Sequence, residues 1–167
     1  MFTIREATEK DAQKINEITK KSFSLYRDEL HSSAPVKALT ETAETVENDI
    51  KNNRVFVAEE NGKILGSIRY TTLSGELAYV YRFGVDPEIN NTGIGSDLLK
   101  TVIAECVAKG FKAITLHTNS KYYKLARYYY GKQFFVHSTS DSKGYIRALF
   151  VKELSSEPYD ISPAFEK

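Results

Sequence analysis

The spacing of apolar residues divides the chain into helical and extended segments. Apolar positions recur every three to four residues from Thr8 to about Phe23, from Thr40 to Asn52, after Gly95 and from Ser120 to Gly131, which predicts four amphipathic helices. Alternating or short apolar runs predict the strands Phe2–Glu6, Arg54–Glu60, Lys63–Thr72, Glu76–Val85, Ala113–Thr118, Phe134–Ser138 and Tyr145–Glu153. The order β-α-α-β-β-β-α-β-α-β-β predicts a mixed α/β or α+β sheet with helices on its faces.

Turn residues punctuate this pattern. Asn61-Gly62 is a favoured hairpin pair, and Ser74-Gly75 predicts a second turn. Gly110 is placed to end the third helix, and residues 24–37 are expected to be irregular.

The third helix has a clear apolar face. On a helical wheel, one half of the circumference holds Leu98, Leu99, Val102, Ile103, Cys106 and Val107. Cys106 lies in the middle of that stripe, so it is expected to be a core residue and not a reactive thiol.

Composition excludes several classes of protein. The 167 residues carry 23 Lys and Arg against 22 Asp and Glu, and a net charge of +1 argues against nucleic-acid binding. One cysteine excludes an internal disulfide framework, and no apolar run reaches the roughly 18 residues of a membrane span. We therefore expect a cytoplasmic protein with no membrane contact, with one domain over residues 1–154 and a tail over 155–167.

Basic residues concentrate near the C-terminal end. Residues 119–152 hold seven basic side chains and one acid, Asp141. On a nearly neutral protein this excess favours a small anionic ligand, although a solvated charged face would give the same pattern.

The segment from Tyr79 to Leu99 carries the strongest chemical signal. A strand is followed by a short loop and then by Gly93 and Gly95 at the start of a helix. The first amides of a helix lack internal partners and favour a phosphate or pyrophosphate, although glycines packed in a tight turn would look alike. Neither a nucleoside-triphosphate loop nor the dinucleotide-binding fingerprint is present, because Leu98 stands where the latter needs a third glycine.

Two motifs in these elements resemble those of the GNAT superfamily of acyl-coenzyme-A-dependent N-acetyltransferases. That family carries [QR]-x-x-G-x-[GA] after its fourth strand, and this chain has Asn90-Asn91-Thr92-Gly93-Ile94-Gly95, with Asn90 departing from the usual Gln or Arg. The second motif is an Asn ending the fifth strand, an A-x-x-x-Y helix segment and a Phe. Here these residues are Asn119, Ala126, Tyr130 and Phe135, with Phe134 in place of the usual Gly.

The resemblance implies a fold and a cosubstrate. The fold is a single-domain, mostly antiparallel sheet of six to seven strands with four helices on its two faces, in which the fourth and fifth strands splay apart around acetyl-CoA. The pantetheine arm would pair with backbone near Phe83 and Val85, beside a bulge near Gly84, although Gly84 could equally be a packing glycine. The cofactor-binding residues implied are Phe83, Val85, Asn90, Asn91, Thr92, Gly93, Ile94, Gly95, Ser96, Asn119, Tyr123 and Arg127.

The fourth helix carries the residue that the family uses as general acid. The wheel places Tyr122, Leu125, Ala126 and Tyr129 inward, places Tyr123, Arg127 and Tyr130 on a shoulder, and turns Lys121, Lys124 and Tyr128 to solvent. By resemblance Tyr130 protonates the departing thiolate, Tyr123 lines the cofactor, and Arg127 or Lys124 pairs with the 3′-phosphate.

The general base and the acceptor stay open. Tyr79 replaces a strand Glu found in some relatives, Glu76 has the wrong strand parity, and Asp28, Glu29 and His31 are expected on the surface. His117 and His137 are expected to be packed or edge residues, and no spacing suggests a metal.

The resemblance implies direct transfer to an amine of a small molecule or peptide in a ternary complex, with the acceptor wall in residues 24–37 and 139–144. Alternatives are a non-catalytic acyl-CoA-binding module, a hydroxyl acceptor or a longer acyl chain. The resemblance also allows a homodimer through the edge of the last strand pair.

Overall fold

The computed structural model describes residues 1–30, 33–89 and 92–167. Within them, the strands are β1 (Thr3–Glu6), β2 (Arg54–Glu60), β3 (Lys63–Leu73), β4 (Leu77–Val85), β5 (Ala113–Asn119), β6 (Phe135–Ser140) and β7 (Arg147–Glu153). The helices are α1 (Ala12–Glu29), α2 (Ala43–Asn52), α3 (Ile94–Ala108) and α4 (Tyr123–Gly131), and three short 3-10 turns are Glu9–Asp11, Lys37–Thr40 and Ser162–Ala164. The predicted element order is confirmed.

The seven strands form one sheet in the order β1-β2-β3-β4-β5-β7-β6. The pairs β1–β2, β2–β3, β5–β7 and β6–β7 are antiparallel, whereas β4 and β5 run parallel. The β4–β5 ladder contains three residue pairs, from Leu77↔Ala113 to Tyr79↔Thr115. Beyond them β4 continues for six residues, so the mixed, mostly antiparallel fold class is confirmed, with a parallel pair that ends early.

The first helix is longer than the sequence pattern predicted. It runs to Glu29, six residues beyond the predicted end, so residues 24–29 are helical and not irregular. The segment Ser24–Glu29 contains no Gly or Pro, and the first helix-breaking residue is Pro35. The predicted start at Thr8 begins with a 3-10 turn, in which the Thr8 backbone N–H donates to the Asp11 carboxylate at 2.7 Å.

Both predicted turns are confirmed by backbone geometry. Asn61 and Gly62 have φ of 51° and 77°, and Ser74 and Gly75 have φ of 52° and 78°. Two successive positive φ values define the type I′ turn, whose twist matches that of the strands it joins.

The described chain forms two compact units. The first comprises Met1–Tyr70 and Tyr81–Ile103, and the second comprises Thr71–Val80 and Ala104–Lys167. The first is organised around a core in which α1 and α2 meet β2 and β3, formed by Ala12, Ile15, Ile18, Val46, Val55, Val57 and Ile64. The second buries Ala113, Ile114, Leu116, Tyr129, Phe134, Phe150 and Val151.

The third helix ends as the sequence predicted. Gly110 has a φ of 76°, and the amides of Gly110 and Phe111 donate to the carbonyls of Val107 and Cys106 at 3.0 Å each. Cys106 is fully buried, and burial raises the pKa of its thiol to about 12, so its predicted core role is confirmed. Val107 was predicted to face the core but is 56% exposed, because it lies in the last turn of the helix, beside that C-cap.

Candidate active site

The start of α3 contains amides that have no partner inside the helix. The Asp97 amide donates to the Gly93 carbonyl at 3.0 Å, which is the first helical hydrogen bond recorded there. The amides of Ile94, Gly95 and Ser96 precede it and therefore have no partner inside the helix. Together with the helix dipole, this row of donors is suited to an anion such as a pyrophosphate.

The two motif glycines occupy their positions for different structural reasons. Gly93 has a φ of 77°, a left-handed conformation that a side chain strains. Gly95 has no such constraint, and a Cβ there would meet Phe83 and Val85 at 3.6 Å, an ordinary van der Waals contact. Alanine would therefore fit at position 95, which agrees with the [GA] alternative in the motif. Thr92 is exposed, whereas Asn90 and Asn91 lie outside the described residues.

The irregular backbone of β4 lies at Arg82 and not at Gly84. Arg82 has a φ of 50°, and its Nε donates to the Glu41 carboxylate at 2.9 Å. Arg82 lies two residues from Gly84, and the bulge expected near Gly84 stays a prediction. Gly84 is a packing glycine, because a Cβ there would clash with the Ser22 side chain.

A buried charge cluster, which the sequence analysis missed, fixes the elements beside β4. The Arg69 guanidinium donates to both oxygens of Glu41 at 2.7 and 3.0 Å and to Asp49 at 2.9 Å. Because Arg82 shares the Glu41 carboxylate, the cluster joins β3, β4, α2 and the segment before α2. Its members are separated by up to 41 residues, so no local spacing reveals it.

In the second unit, α4 exposes Tyr130 as the wheel predicted. The Tyr130 ring is 56% exposed and packs edge-on against Phe150 at 5.8 Å between centroids, while its neighbour Tyr129 is buried. Tyr123 is 70% exposed, and Arg127 is also exposed. Tyr128 was predicted to face solvent but is half-buried, because its ring packs on Tyr129 at 5.3 Å.

Asn119 has a structural role at the end of β5. Its side-chain oxygen accepts from the Lys121 amide at 3.0 Å, and its carbonyl accepts from the Tyr122 amide at 3.1 Å. This turn occupies residues 119–122 and explains why α4 begins at Tyr123, three residues after the predicted start.

Tyr79 and His117 form a pair where some relatives have a carboxylate. The Tyr79 hydroxyl lies 2.9 Å from His117 Nδ1. Burial lowers the pKa of His117 to about 3, with a further contribution from the charges of Arg147 and Lys143. The imidazole is therefore neutral at pH 7, and its Nδ1 forms a hydrogen bond with the Tyr79 hydroxyl.

The remaining polar candidates have other partners or positions. Glu76 precedes β4 and pairs with Lys112 at 2.7 Å, while Asp28 and Glu29 are on the surface, as expected. His137 is exposed, and His31 lies outside the described residues.

No group of three His, Cys, Asp or Glu side chains suited to a metal occurs among residues 1–30, 33–89 and 92–167. In that same part of the chain, no helix combines the length and the apolar character that crossing a membrane requires.

Comparison with known proteins identifies the family to which the sequence is similar. The family model for the acetyltransferase (GNAT) family matches residues 15–135. An S-(2-succino)cysteine N-acetyltransferase from Bacillus subtilis (strain 168) is 27% identical over 161 residues, covering 90% of this chain and 94% of that protein.

Solved structures share the fold at lower identity. PaiA N-acetyltransferase from Thermoplasma acidophilum, solved with coenzyme A, has a TM-score of 0.79 at 18% identity, covering 92% of this chain and 99% of its own. YncA from Salmonella typhimurium, solved with acetyl-CoA, has a TM-score of 0.73 at 20% identity, covering 96% and 98%. The chain belongs to the GNAT acetyltransferase family and is an acyltransferase that uses acetyl-CoA as its cosubstrate.

Proposed function

We propose that this protein moves the acetyl group of acetyl-CoA to a primary amine of a small molecule or peptide by direct attack in a ternary complex. The observation that carries the proposal is the early end of the β4–β5 ladder, after Tyr79↔Thr115, combined with the family match. The β4 backbone at Phe83 and Val85 lies beyond the last of these pairs. The pantetheine arm is proposed to lie alongside this part of β4, by strand addition next to the end of the β4–β5 ladder.

The pyrophosphate would be held at the start of α3. The amides of Ile94, Gly95 and Ser96 supply several donors, and Gly93 supplies the left-handed turn that presents them. The helix dipole alone contributes about 0.3–1 kcal/mol, so affinity depends on the convergence of these donors. Asn90, Asn91 and Thr92 precede the turn and complete the proposed loop, while Asn119, Tyr123 and Arg127 are proposed for the other end of the cofactor.

The chemical step needs a neutral amine and a proton for the leaving group. The amine nitrogen attacks the thioester carbonyl, a nitrogen–carbon bond forms, the carbon–sulfur bond breaks, and one proton leaves the nitrogen. Keeping an alkyl amine neutral at pH 7 costs about 4–5 kcal/mol, because its ammonium form has a pKa of about 10.4. A base, or a water chain to one, must therefore take the ammonium proton before attack and the second proton as the amide forms. A backbone N–H near Val85 would polarise the carbonyl, and the exposed Tyr130 hydroxyl would protonate the thiolate.

Tyr130→Phe tests the assignment of the acid. We expect turnover to fall by about 10²–10⁴-fold, the usual contribution of general acid catalysis, while the affinity for CoA measured by calorimetry is kept. Tyr128→Phe, on the same helix but packed against Tyr129, is the matched control and should keep its turnover.

The assay separates the proposal from its alternatives. Release of free thiol from acetyl-CoA is followed with a panel of amines, the corresponding alcohols and longer acyl-CoA donors. Faster transfer to an alcohol, or from a longer donor, would replace the amine or the acetyl group in the proposal. Unchanged turnover in Tyr130→Phe would remove that residue from the chemistry.

The Bacillus subtilis relative supplies one specific acceptor to test. That protein is named as an S-(2-succino)cysteine N-acetyltransferase, and its similarity to this chain extends over 161 residues. We propose S-substituted cysteines as a second, narrower acceptor class. Mass spectrometry should then show a mass gain of one acetyl group on S-(2-succino)cysteine, and no such gain on a thioether that lacks an amine.

A further inference from the structure

A cavity of about 270 Å³ lies within the second unit. Its wall is built from three strands: His117 on β5, Arg147 and Leu149 on β7, and Ser138 and Ser140 on β6. The register pairs Leu149 with both His117 and Ser138, and pairs Arg147 with Ser140, so these side chains share one face of the sheet. Phe165 of the C-terminal segment also lines the cavity.

Arg147 is the unusual member of this wall. It is only 6% exposed, and its Nη1 donates to the Lys167 main-chain oxygen at 3.2 Å. Its Nε is buried and has no hydrogen-bond partner among residues 1–30, 33–89 and 92–167, nor does any carboxylate side chain in that part pair with the guanidinium. A buried cation with an unsatisfied N–H is costly unless a counter-charge is bound, since each unmade hydrogen bond costs about 1–3 kcal/mol.

The rest of the lining is rich in hydrogen-bond donors. Hydroxyls come from Ser138, Thr139 and Ser140, and His117 adds an imidazole held by Tyr79. No Asp or Glu is among the lining residues that the structure describes. The positive charges of Arg147 and Lys143 also act on His117, so this part of the unit favours an anion.

The cavity and Tyr130 lie on opposite faces of the sheet. Leu149 lines the cavity, whereas its neighbour Phe150 packs against Tyr130. Adjacent residues of a strand point to opposite faces. A ligand in the cavity and a donor that reaches Tyr130 therefore approach from opposite faces, and they can meet only beyond the end of the β4–β5 ladder, beside His117.

We propose that this cavity binds a carboxylate of the acceptor through Arg147, so that the acceptor is a carboxylate-bearing amine of amino-acid size. The inference rests on the proposed amine acetylation. The guanidinium fork matches a carboxylate in geometry and charge, and the hydroxyls of Ser138 and Ser140 complete the anion's hydrogen bonds. A volume of about 270 Å³ lies just below the roughly 300–1,000 Å³ of typical small-molecule sites, which fits an amino acid better than a folded peptide.

The test compares acids with their esters. Alanine, aspartate, glutamate and S-carboxymethylcysteine, each beside its methyl ester, are titrated into the CoA-bound protein by calorimetry and assayed for acetylation. We expect at least one acid to bind tenfold or more tighter than its ester. In Arg147→Met the acid should lose that advantage, mainly through KM, whereas the ester should be affected little.

Controls keep a folding defect apart from a binding defect. Arg147→Lys should recover part of the preference for the acid, and Arg54→Met, which removes an arginine from β2, should leave it unchanged. If Arg147→Met does not fold, Ser140→Ala and Ser138→Ala should each weaken the acid selectively.

The outcomes distinguish a failure of the cavity assignment from a failure of the proposed acetyl transfer. Acid-selective binding that depends on Arg147, without product, would support the cavity and reject the proposed transfer. Equal binding of acids and esters, or binding of neither, would overturn the cavity assignment even if another amine is acetylated.

Discussion

Arg69 is fully buried, yet it keeps its charge. Burial alone lowers the pKa of its guanidinium, but hydrogen bonds and charges from Glu41 and Asp49 raise it by more, so the net shift is upward. Tyr81 is affected by the same carboxylate: burial, followed by the charge and hydrogen bond of Asp49, raises the pKa of its hydroxyl. The cluster thus keeps a protonated phenol and a charged arginine beside β4.

Removing the charge of Glu41 should lower the free energy of unfolding, because Arg69 is buried and would lose its counter-charge. Glu41→Gln leaves Arg69 and Arg82 without their shared carboxylate, and breaking a buried pair typically costs about 3–5 kcal/mol. Urea denaturation measures the loss. Glu44→Gln, an exposed glutamate on α2, is the control and should change the free energy of unfolding by less than about 0.5 kcal/mol. Equal losses in the two variants would contradict the role of the cluster.

His117 should make the protein less stable in acid. Its pKa in the folded protein, about 3, lies below the ordinary value of 6.5. Between these two pH values the unfolded chain therefore binds a proton that the folded chain does not bind. The stabilising effect of the neutral form is complete above pH 6.5, and it decreases as the pH falls from 6.5 towards 3. NMR titration should show His117 neutral down to pH 5, and His117→Gln should flatten the decline in stability over that window. A His117 midpoint near 6.5 would contradict this prediction.

At the scale of elements, the packing of β3 against the end of β4 and the start of α3 depends on a close approach at Gly66. A Cβ on Gly66 would lie 3.1 Å from the Gly84 carbonyl oxygen, 3.2 Å from Val85 and 3.3 Å from Ile94. The Asp86 amide also donates to the Leu65 carbonyl at 2.8 Å, which anchors the chain directly after β4. The position of the proposed pyrophosphate site therefore depends on a glycine in a neighbouring strand.

Gly66→Ala should disturb that approach. The extra methyl group overpacks a tight contact with backbone, which typically costs about 1–3 kcal/mol, and it should also weaken CoA binding because Ile94 must move. Thermal denaturation and CoA calorimetry measure the two effects. Gly131→Ala has open space around its Cβ and should be neutral or stabilising. Unchanged stability and affinity in Gly66→Ala would show that the contact relaxes freely.

For the whole molecule, charge is balanced globally and unbalanced locally. The net charge is +1, whereas residues 119–152 carry seven basic residues and one acid. Some of these basic side chains have hydrogen-bond partners within the second unit: the Lys152 Nζ donates to the Lys132 carbonyl at 2.9 Å. Arg127 is exposed on α4 and is available to a phosphate.

Binding of CoA should stabilise the folded protein as a whole. A ligand at 100 times its Kd adds about 2.7 kcal/mol if it binds only the native state. We expect CoA to raise Tm more than 3′-dephospho-CoA does. Removing the charges of Arg127 and Lys124 together should abolish that difference. A difference that persists in the double variant would place the 3′-phosphate elsewhere.

The sequence by itself determined the fold class, the order of elements and the place of the main motifs. These are local properties: apolar periodicity, the turn pairs Asn61-Gly62 and Ser74-Gly75, and the C-cap glycine at Gly110. The exposure of Tyr130 beside a buried Tyr129 also follows from helical periodicity alone. The family match over residues 15–135 confirms what the motifs indicated.

Only the tertiary structure decided which distant side chains meet. Arg69 with Glu41, Tyr79 with His117 and Arg147 with its cavity are joined by strand register and helix packing, over separations that no sequence window covers. Arg82 has a left-handed backbone that no sequence feature predicted, and Glu41 anchors its side chain. Local preferences fix periodicity and turns, whereas pairing buried charges depends on the complete fold, because the cost of desolvation arises only there.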